Sequence, residues 1–236
     1  SGPLGSGLSQ AVGMALAERI LNARYGDALV NHKTFVICSD GDLMEGISHE
    51  SCSFAGHMKL RNLVVLYDDN NISIDGKTSL AFTDDTQKRF ESYNWKVLKI
   101  DGHDFKQIEE AIHLSLSSDK PTLICCRTRI GCGAPNKEST AEVHGSPLGK
   151  EEADATREAL EWNYKEFEIP ADVLTEWRNC HKRNESEYSR SIKEFKGSKL
   201  ESELAMSAPV DISHQLLQIK KNASDSEASR ISSGKV

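Results

Sequence analysis

Four short β-rich runs, each nearly continuous in apolar residues and each followed or preceded by a helical pattern, predict an α/β protein with a mostly parallel sheet covered by helices on both faces. A second observation agrees with this. Acidic and amide residues gather directly after the first two runs, and open parallel sheets bind ligands beyond the carboxyl ends of their strands.

The elements follow in order. After "SGPLGSG", Leu8, Val12, Leu16 and Ile20 recur every fourth residue, predicting a helix that ends near Gly26. The β runs are "TFVICS" (34–39), "NLVVLYD" (62–68), "KVLKI" (96–100) and "TLICC" (122–126), with helical patterns at about 44–58, 84–93 and 105–117. From about Lys150 the character changes. "KEEADATREALEWNYKEF" and "PADVLTEWRNCHKRNESEYSRSIKEF" read as two charged amphipathic helices separated at Pro170. Beyond Gly197 the chain is polar and free of aromatics, and "NASDSEASRISSGKV" reads as a linker or exposed tail. The expected division is a domain over 1–196 and a helical or extended linker over 197–236.

Composition sets limits on function. With 38% hydrophobic and 28% charged residues among 236, the chain can bury a core. A formal net charge of −7 and a pI of 5.7 do not suggest a nucleic-acid surface. No apolar stretch is long enough for a membrane span, and no signal peptide opens the sequence. Six cysteines without a CxxC pair read as reduced thiols, giving an expectation of a cytoplasmic protein. "HESCS" at His49 is not a zinc helix, because Ser53 stands where HExxH needs its second histidine.

The chemistry-bearing residues lie at the strand ends. Asp40 and Gly41, at the end of the first strand and the start of a helix, offer a carboxylate for a cation beside backbone N–H groups for an anion. Asn70 follows the second strand, 30 positions later, about one strand–helix–strand crossover, so the two loops should emerge side by side. Aspartate, asparagine and backbone carbonyl oxygens suit a hard cation such as Mg²⁺, which usually shares its six oxygens with phosphates. Taken alone, Asp40 reads equally as a turn or capping residue, and Glu45 and Glu50 as charges favouring a helix N-terminus or its outer face. Their pairing at crossover spacing favours a site.

Asp-Gly followed some thirty residues later by Asn resembles the thiamine-diphosphate motif. The blocks "GPLGSGLSQAVGMALAE", "DGDLMEGISHE", "LYDDNNISIDG", "FTDDTQKRFESYNW", "DGHD", "GAPNK" and "HGSPLG" together resemble the transketolase family, through about residue 178. The resemblance implies a three-layer αβα sandwich carrying the diphosphate-binding site. Asp40, Asn70 and the Ile72 carbonyl would hold Mg²⁺ on the cofactor's diphosphate, and Gly41 would lie against a phosphate. Gly2, Pro3 and Leu4 match a loop lining the cofactor's other end. His144 matches a histidine beside the diphosphate and the reacting carbons, and Glu45 and Glu50 match an acidic cluster between the cofactors of a homodimer. The implied reaction moves a two-carbon ketol unit between sugar phosphates, as in the pentose phosphate pathway.

The match has departures. Ser39 replaces the glycine that commonly precedes the Asp-Gly pair, and the matching region starts inside the family's first domain. The stretch expected before it, with histidines that touch cofactor and substrate, and the pyrimidine-binding and C-terminal domains lie outside the sequence. "GPLGS" is also the spelling left by some protease-cleaved tags, although the family match continues through it. Dihydroxyacetone synthase, a split N-terminal subunit or a non-catalytic module keeping the fold are the alternatives. "ISIDG" and "FTDDTQKRFESYNW" fit 1-deoxyxylulose-phosphate synthase less well.

Overall fold

The computed structural model describes residues 2–205 and 213–224. Its centre is a parallel four-stranded sheet in the order β1–β2–β6–β5, formed by β1 (Thr34–Ser39), β2 (Leu63–Asp69), β5 (Lys96–Asp101) and β6 (Thr122–Arg127). The register pairs Ser39 with Asp68 and Asp69 with Arg127, so the carboxyl ends of the strands are level with one another. Strand alternation divides the side chains between two faces. Cys38, Val65, Tyr67, Leu123 and Cys125 pack against α1 (Ser6–Tyr25), α3 (Gly46–His57) and α4 (Thr86–Ser92). Val64, Ile124 and Cys126 pack against Ala111 of α5 (Phe105–Leu116) on the other face. The result is the expected three-layer arrangement. The second face is covered unevenly, because Phe35 and Ile37 of edge strand β1 stand exposed, Ile37 at 76%.

Several quoted blocks are explained by local structure. In "FTDDTQKRFESYNW", Asp85 caps α4 by accepting from Lys88 N–H, while Phe90 and Trp95 meet edge-to-face in the core at 5.0 Å. In "DGHD", Asp104 caps α5 by accepting from Lys106 and Gln107 N–H. All six cysteines are free, and burial pushes the Cys52 and Cys125 thiols up to about 12 and Cys126 to about 11.

The helical pattern at 44–58 forms α3, preceded by a short helix, α2 (Asp40–Met44), that begins directly at the strand end, and Glu45 separates the two with extended backbone. Three expectations need correction. The helical stripe through Ile20 breaks down. Residues four apart rotate about 40° per step, so Ile20 lies about 120° from Leu8. Ile20 is exposed, and Ala11 and Ala15 join Leu8 and Val12 in the core. The helix placed over 150–167 stops at Ala159 as α6 (Lys150–Ala159), where Glu161 takes φ 53° and Trp162 N–H closes onto the Arg157 carbonyl. The next helix divides into α7 (Ala171–Asn179), a 3-10 turn at Cys180–Asn184, and α8 (Glu185–Phe195).

Beyond Gly197 the described residues form α9 (Lys199–Ala205) and α10 (Ser213–Ser224), within the stretch expected as a helical or extended linker. The part of the expected linker over 225–236 lies outside the described residues. Contacts divide the chain into Ser1–Glu194 and Phe195–Val236, the second unit containing α9 and α10.

Candidate functional site

At the carboxyl edge of the sheet, β1 runs directly into α2, and Asp40 is the first helical residue. Its side chain is 94% withdrawn from solvent, with 6% exposed. Oδ1 accepts from the Tyr67 hydroxyl at 2.5 Å, while Oδ2 is buried with no hydrogen-bond partner. Burial raises the Asp40 carboxyl above the usual range; the Tyr67 hydrogen bond opposes this, and Asp69 and Asp68 add to it. Burial, with Asp40 beside it, keeps the Tyr67 hydroxyl protonated. A buried carboxylate oxygen without a donor is a costly arrangement for a protein alone, and it suits a cation.

Asp42, two residues on, closes this corner. Its Oδ2 accepts from the Ser39 N–H at 3.0 Å and hydroxyl at 3.1 Å, and its Oδ1 accepts from Gly5 N–H at 2.9 Å. Burial works to raise the Asp42 carboxyl, but these three hydrogen bonds outweigh it and hold the group below the usual range. Gly5 itself requires glycine. It sits at φ 74°, and a Cβ there would lie 2.8 Å from Ser48 Oγ and 3.0 Å from Glu45 Cβ. The loop Gly2–Leu4 is thereby docked beside α2, with Leu4 Cδ1 3.2 Å from where a Cβ on Gly41 would stand. Apart from neighbouring backbone, no other atom lies within 4 Å of that position.

Beyond β2, Asn70 Oδ1 accepts from Ile72 N–H at 2.9 Å and Asn70 Nδ2 donates to Asp68 Oδ2 at 3.1 Å. Ile72 lies in β3 (Ile72–Ser73), paired antiparallel with β4 (Gly76–Lys77). Thr78 N–H bonds to the Asn71 carbonyl, and the alternation of antiparallel pairs makes Ile72 and Lys77 a non-hydrogen-bonded pair. The Ile72 carbonyl therefore points away from β4, on the same side as its N–H, which goes to Asn70.

The two halves do not share one cavity. Asp40 lines a cavity of about 340 Å³ together with Tyr67, Asp69 and the 78–87 loop. Asn70 and Ile72 line a neighbouring cavity of about 810 Å³, and Asn71 and Lys77 border both. Among the described residues no group of three His, Cys, Asp or Glu side chains is arranged to hold a metal. A cation here would depend on Asp40 together with amide and carbonyl oxygens.

His144 is exposed at the end of the 3-10 turn Ala141–Val143 and lines neither cavity. The chain that carries it is anchored at Asn136, whose N–H and side-chain amide both bond the buried Glu152 carboxylate of α6, at 2.8 and 2.9 Å. Glu45 and Glu50 are exposed at the start of α3. Behind them, Arg89 bonds His49 Nε2 at 3.0 Å and pairs with Asp84 at 3.7 Å, tying α3 to the 78–87 loop.

The sequence reading missed Tyr67, Asp42, Gly5 and Glu152. Ser39 and Asp42 carry a legible signal, an N-cap residue followed three positions later by an acid. Tyr67 was legible as the residue opposite Cys38 in a level register. Nothing local marks Glu152.

A level parallel sheet with a buried, unpartnered carboxylate at one strand end, an amide at the next and a helix start between them defines a class. These are α/β domains whose ligands bind beyond the carboxyl ends of the strands. The family model "Transketolase, thiamine diphosphate binding domain" matches residues 1–211, and the chain belongs to the transketolase family. A transketolase of Buchnera aphidicola is 56% identical over 182 residues, covering 75% of this chain and 27% of its own length. The crystal structure of Campylobacter jejuni transketolase superposes with a TM-score of 0.83 at 36% identity, covering 90% of this chain and 34% of that one. A Pichia stipitis transketolase in complex with sedoheptulose-7-phosphate gives 0.78 at 35% identity, covering 83% and 30%. The chain thus spans about a quarter of the length of the curated relatives it matches, 27% for the Buchnera protein.

Proposed function

We propose that this chain is the diphosphate-binding part of a transketolase, which moves a two-carbon ketol unit from a ketose phosphate to an aldose phosphate. The observation that carries the proposal is Asp40 Oδ2, buried without a partner at the carboxyl end of β1, where α2 begins. Asp40, Asn70 and the Ile72 carbonyl supply the oxygens for Mg²⁺, and Gly41 lets a phosphate approach the first turn of α2. Gly2, Pro3 and Leu4, docked through Gly5 and Asp42, line the cofactor beyond its diphosphate. When bound, thiamine diphosphate supplies the carbon nucleophile and electron sink for cleaving the bond beside a ketone.

The protein's own part is to bind, orient and exclude water. His144 serves as the proton-transfer group, carried to the reacting atoms by its loop. Glu45 and Glu50 belong to an acidic cluster at a homodimer interface, in keeping with their exposure in the single chain. The domain runs over 1–196, with 197–236 leading toward a pyrimidine-binding domain. A cytoplasmic location fits six free thiols, and no helix among the described residues is long and apolar enough to cross a membrane. The transketolase solved with sedoheptulose-7-phosphate supports sugar phosphates as substrates.

The test has two arms. Calorimetric titration of thiamine diphosphate with Mg²⁺ into the complete enzyme should lose its heat on Asp40→Ala and weaken on Asn70→Ala; unchanged affinity in both removes the assignment. Residues 1–236 alone should show no ketol transfer and bind the cofactor weakly, because the pyrimidine-binding domain that the family resemblance implies lies outside them. Sugar-phosphate product from the purified, mass-verified segment would contradict that division of labour.

A further inference from the structure

The cavity of about 810 Å³ beyond the ends of β2, β5 and β6 is lined by more cationic than acidic side chains, on a chain whose formal net charge is −7. Lys77, Lys99, Arg127 and Arg129 line it, against one acid, Asp101. Lys77 and Lys99 have no ion pair among the described residues. Arg127 is oriented by Asp69 at 3.2 Å, and Arg129 by Glu138 at 2.7 Å. His103 Nε2 accepts the Arg129 backbone N–H at 3.0 Å, which puts the neutral ring's proton on Nδ1 and leaves that nitrogen as a donor. Asp101 Oδ1 is already engaged by His103 N–H. The cationic groups come from β5, the end of β6, the loop after it and the β3–β4 hairpin. None of these cationic groups is a proposed metal ligand, although Asn70 and Ile72, two of the three proposed ligands, also line the cavity.

We propose that this cavity is an anion site for a small phosphate-bearing molecule, distinct from the place at Gly41 where a cofactor phosphate would lie. Fixed guanidiniums supply geometry, and the two unpaired lysines supply uncompensated charge. The volume lies within the range of small-molecule sites. This goes beyond the proposed function and does not depend on it.

The test is a titration of the isotopically labelled chain with inorganic phosphate in EDTA, which removes any metal-dependent binding. Backbone amides of residues 99–103 and 127–130 should shift saturably. Lys99→Glu, an exposed and unpaired position on an edge strand, and Arg129→Glu should each weaken phosphate by about tenfold, the scale of one hydrogen bond to a charged group. The exposed Lys193→Glu should leave the affinity unchanged. Absence of saturable shifts, shifts confined to residues 39–43, or wild-type affinity in Lys99→Glu would each overturn the inference.

Discussion

Replacing Tyr67 by phenylalanine removes one oxygen and should produce an effect far larger than its size suggests. Tyr67 gives the one hydrogen bond that the Asp40 side chain receives among the described residues, at 2.5 Å, and Asp40 Oδ2 has none. The variant leaves a buried carboxylate with neither oxygen partnered. Hydrogen bonds to charged groups contribute about 1.5–3 kcal/mol, so Tyr67→Phe should lower stability by about 2–3 kcal/mol at neutral pH without metal. For a chain of this size that corresponds to a midpoint about 4–12 °C lower. The assay is urea and thermal unfolding followed by circular dichroism in EDTA, on wild type, Tyr67→Phe, Asp40→Ala and the double variant. If the hydrogen bond is the source, Tyr67→Phe should cost little once Asp40 is alanine, giving a coupling of about 2 kcal/mol. A coupling below about 0.5 kcal/mol, the error of additivity, would refute the reasoning.

Gly56→Ala should destabilise α3 by at least about 2 kcal/mol despite its gain in helix propensity, since a Cβ there would stand 1.8 Å from the Tyr93 carbonyl oxygen; an unchanged urea midpoint would contradict this. Asn136 hydrogen bonds, side chain then backbone, hold the Glu152 carboxyl below its usual 4.5 against the opposing effect of burial. The ionised group therefore stabilises the fold above that value, and the contribution is lost as pH falls through the lower folded value. Glu152→Gln should thus be less stable than wild type at neutral pH and converge with it in acid, as urea midpoints at the two pH values will show. His144→Ala should leave the stability of this chain within about 0.5 kcal/mol. In the complete enzyme it should lower turnover by about 10²–10⁴-fold, with cofactor affinity much less affected; wild-type turnover returns His144 to an ordinary loop residue.

The strands were legible because each is a short apolar run ending at polar residues, and all four lie within a residue of their expected limits. The side-by-side emergence of Asp40 and Asn70 was legible for the same reason, since crossover length forces adjacency in a parallel pair. Helix ends were harder to read. Glu161 at φ 53° ends α6 within a stretch whose hydrophobic pattern continues, and no composition rule marks a single left-handed residue. Within the site, Asp40 was identified from local sequence, but its missing partner at Oδ2 and the Tyr67 bond depend on packing between strands. Glu152 was invisible because its role requires Asn136, sixteen residues away, to fold back onto α6.

The Gly5 amide has a particular value as an internal reporter. Its proton is held by the Asp42 carboxylate, 37 positions along the chain, across α1 and β1. That contact closes only when the helix, the strand and the turn after it are all in place. A single exchange-protected proton near the start of the chain therefore measures how often the whole corner opens, a quantity that fluorescence from the distant Trp162 or Trp177 would not register.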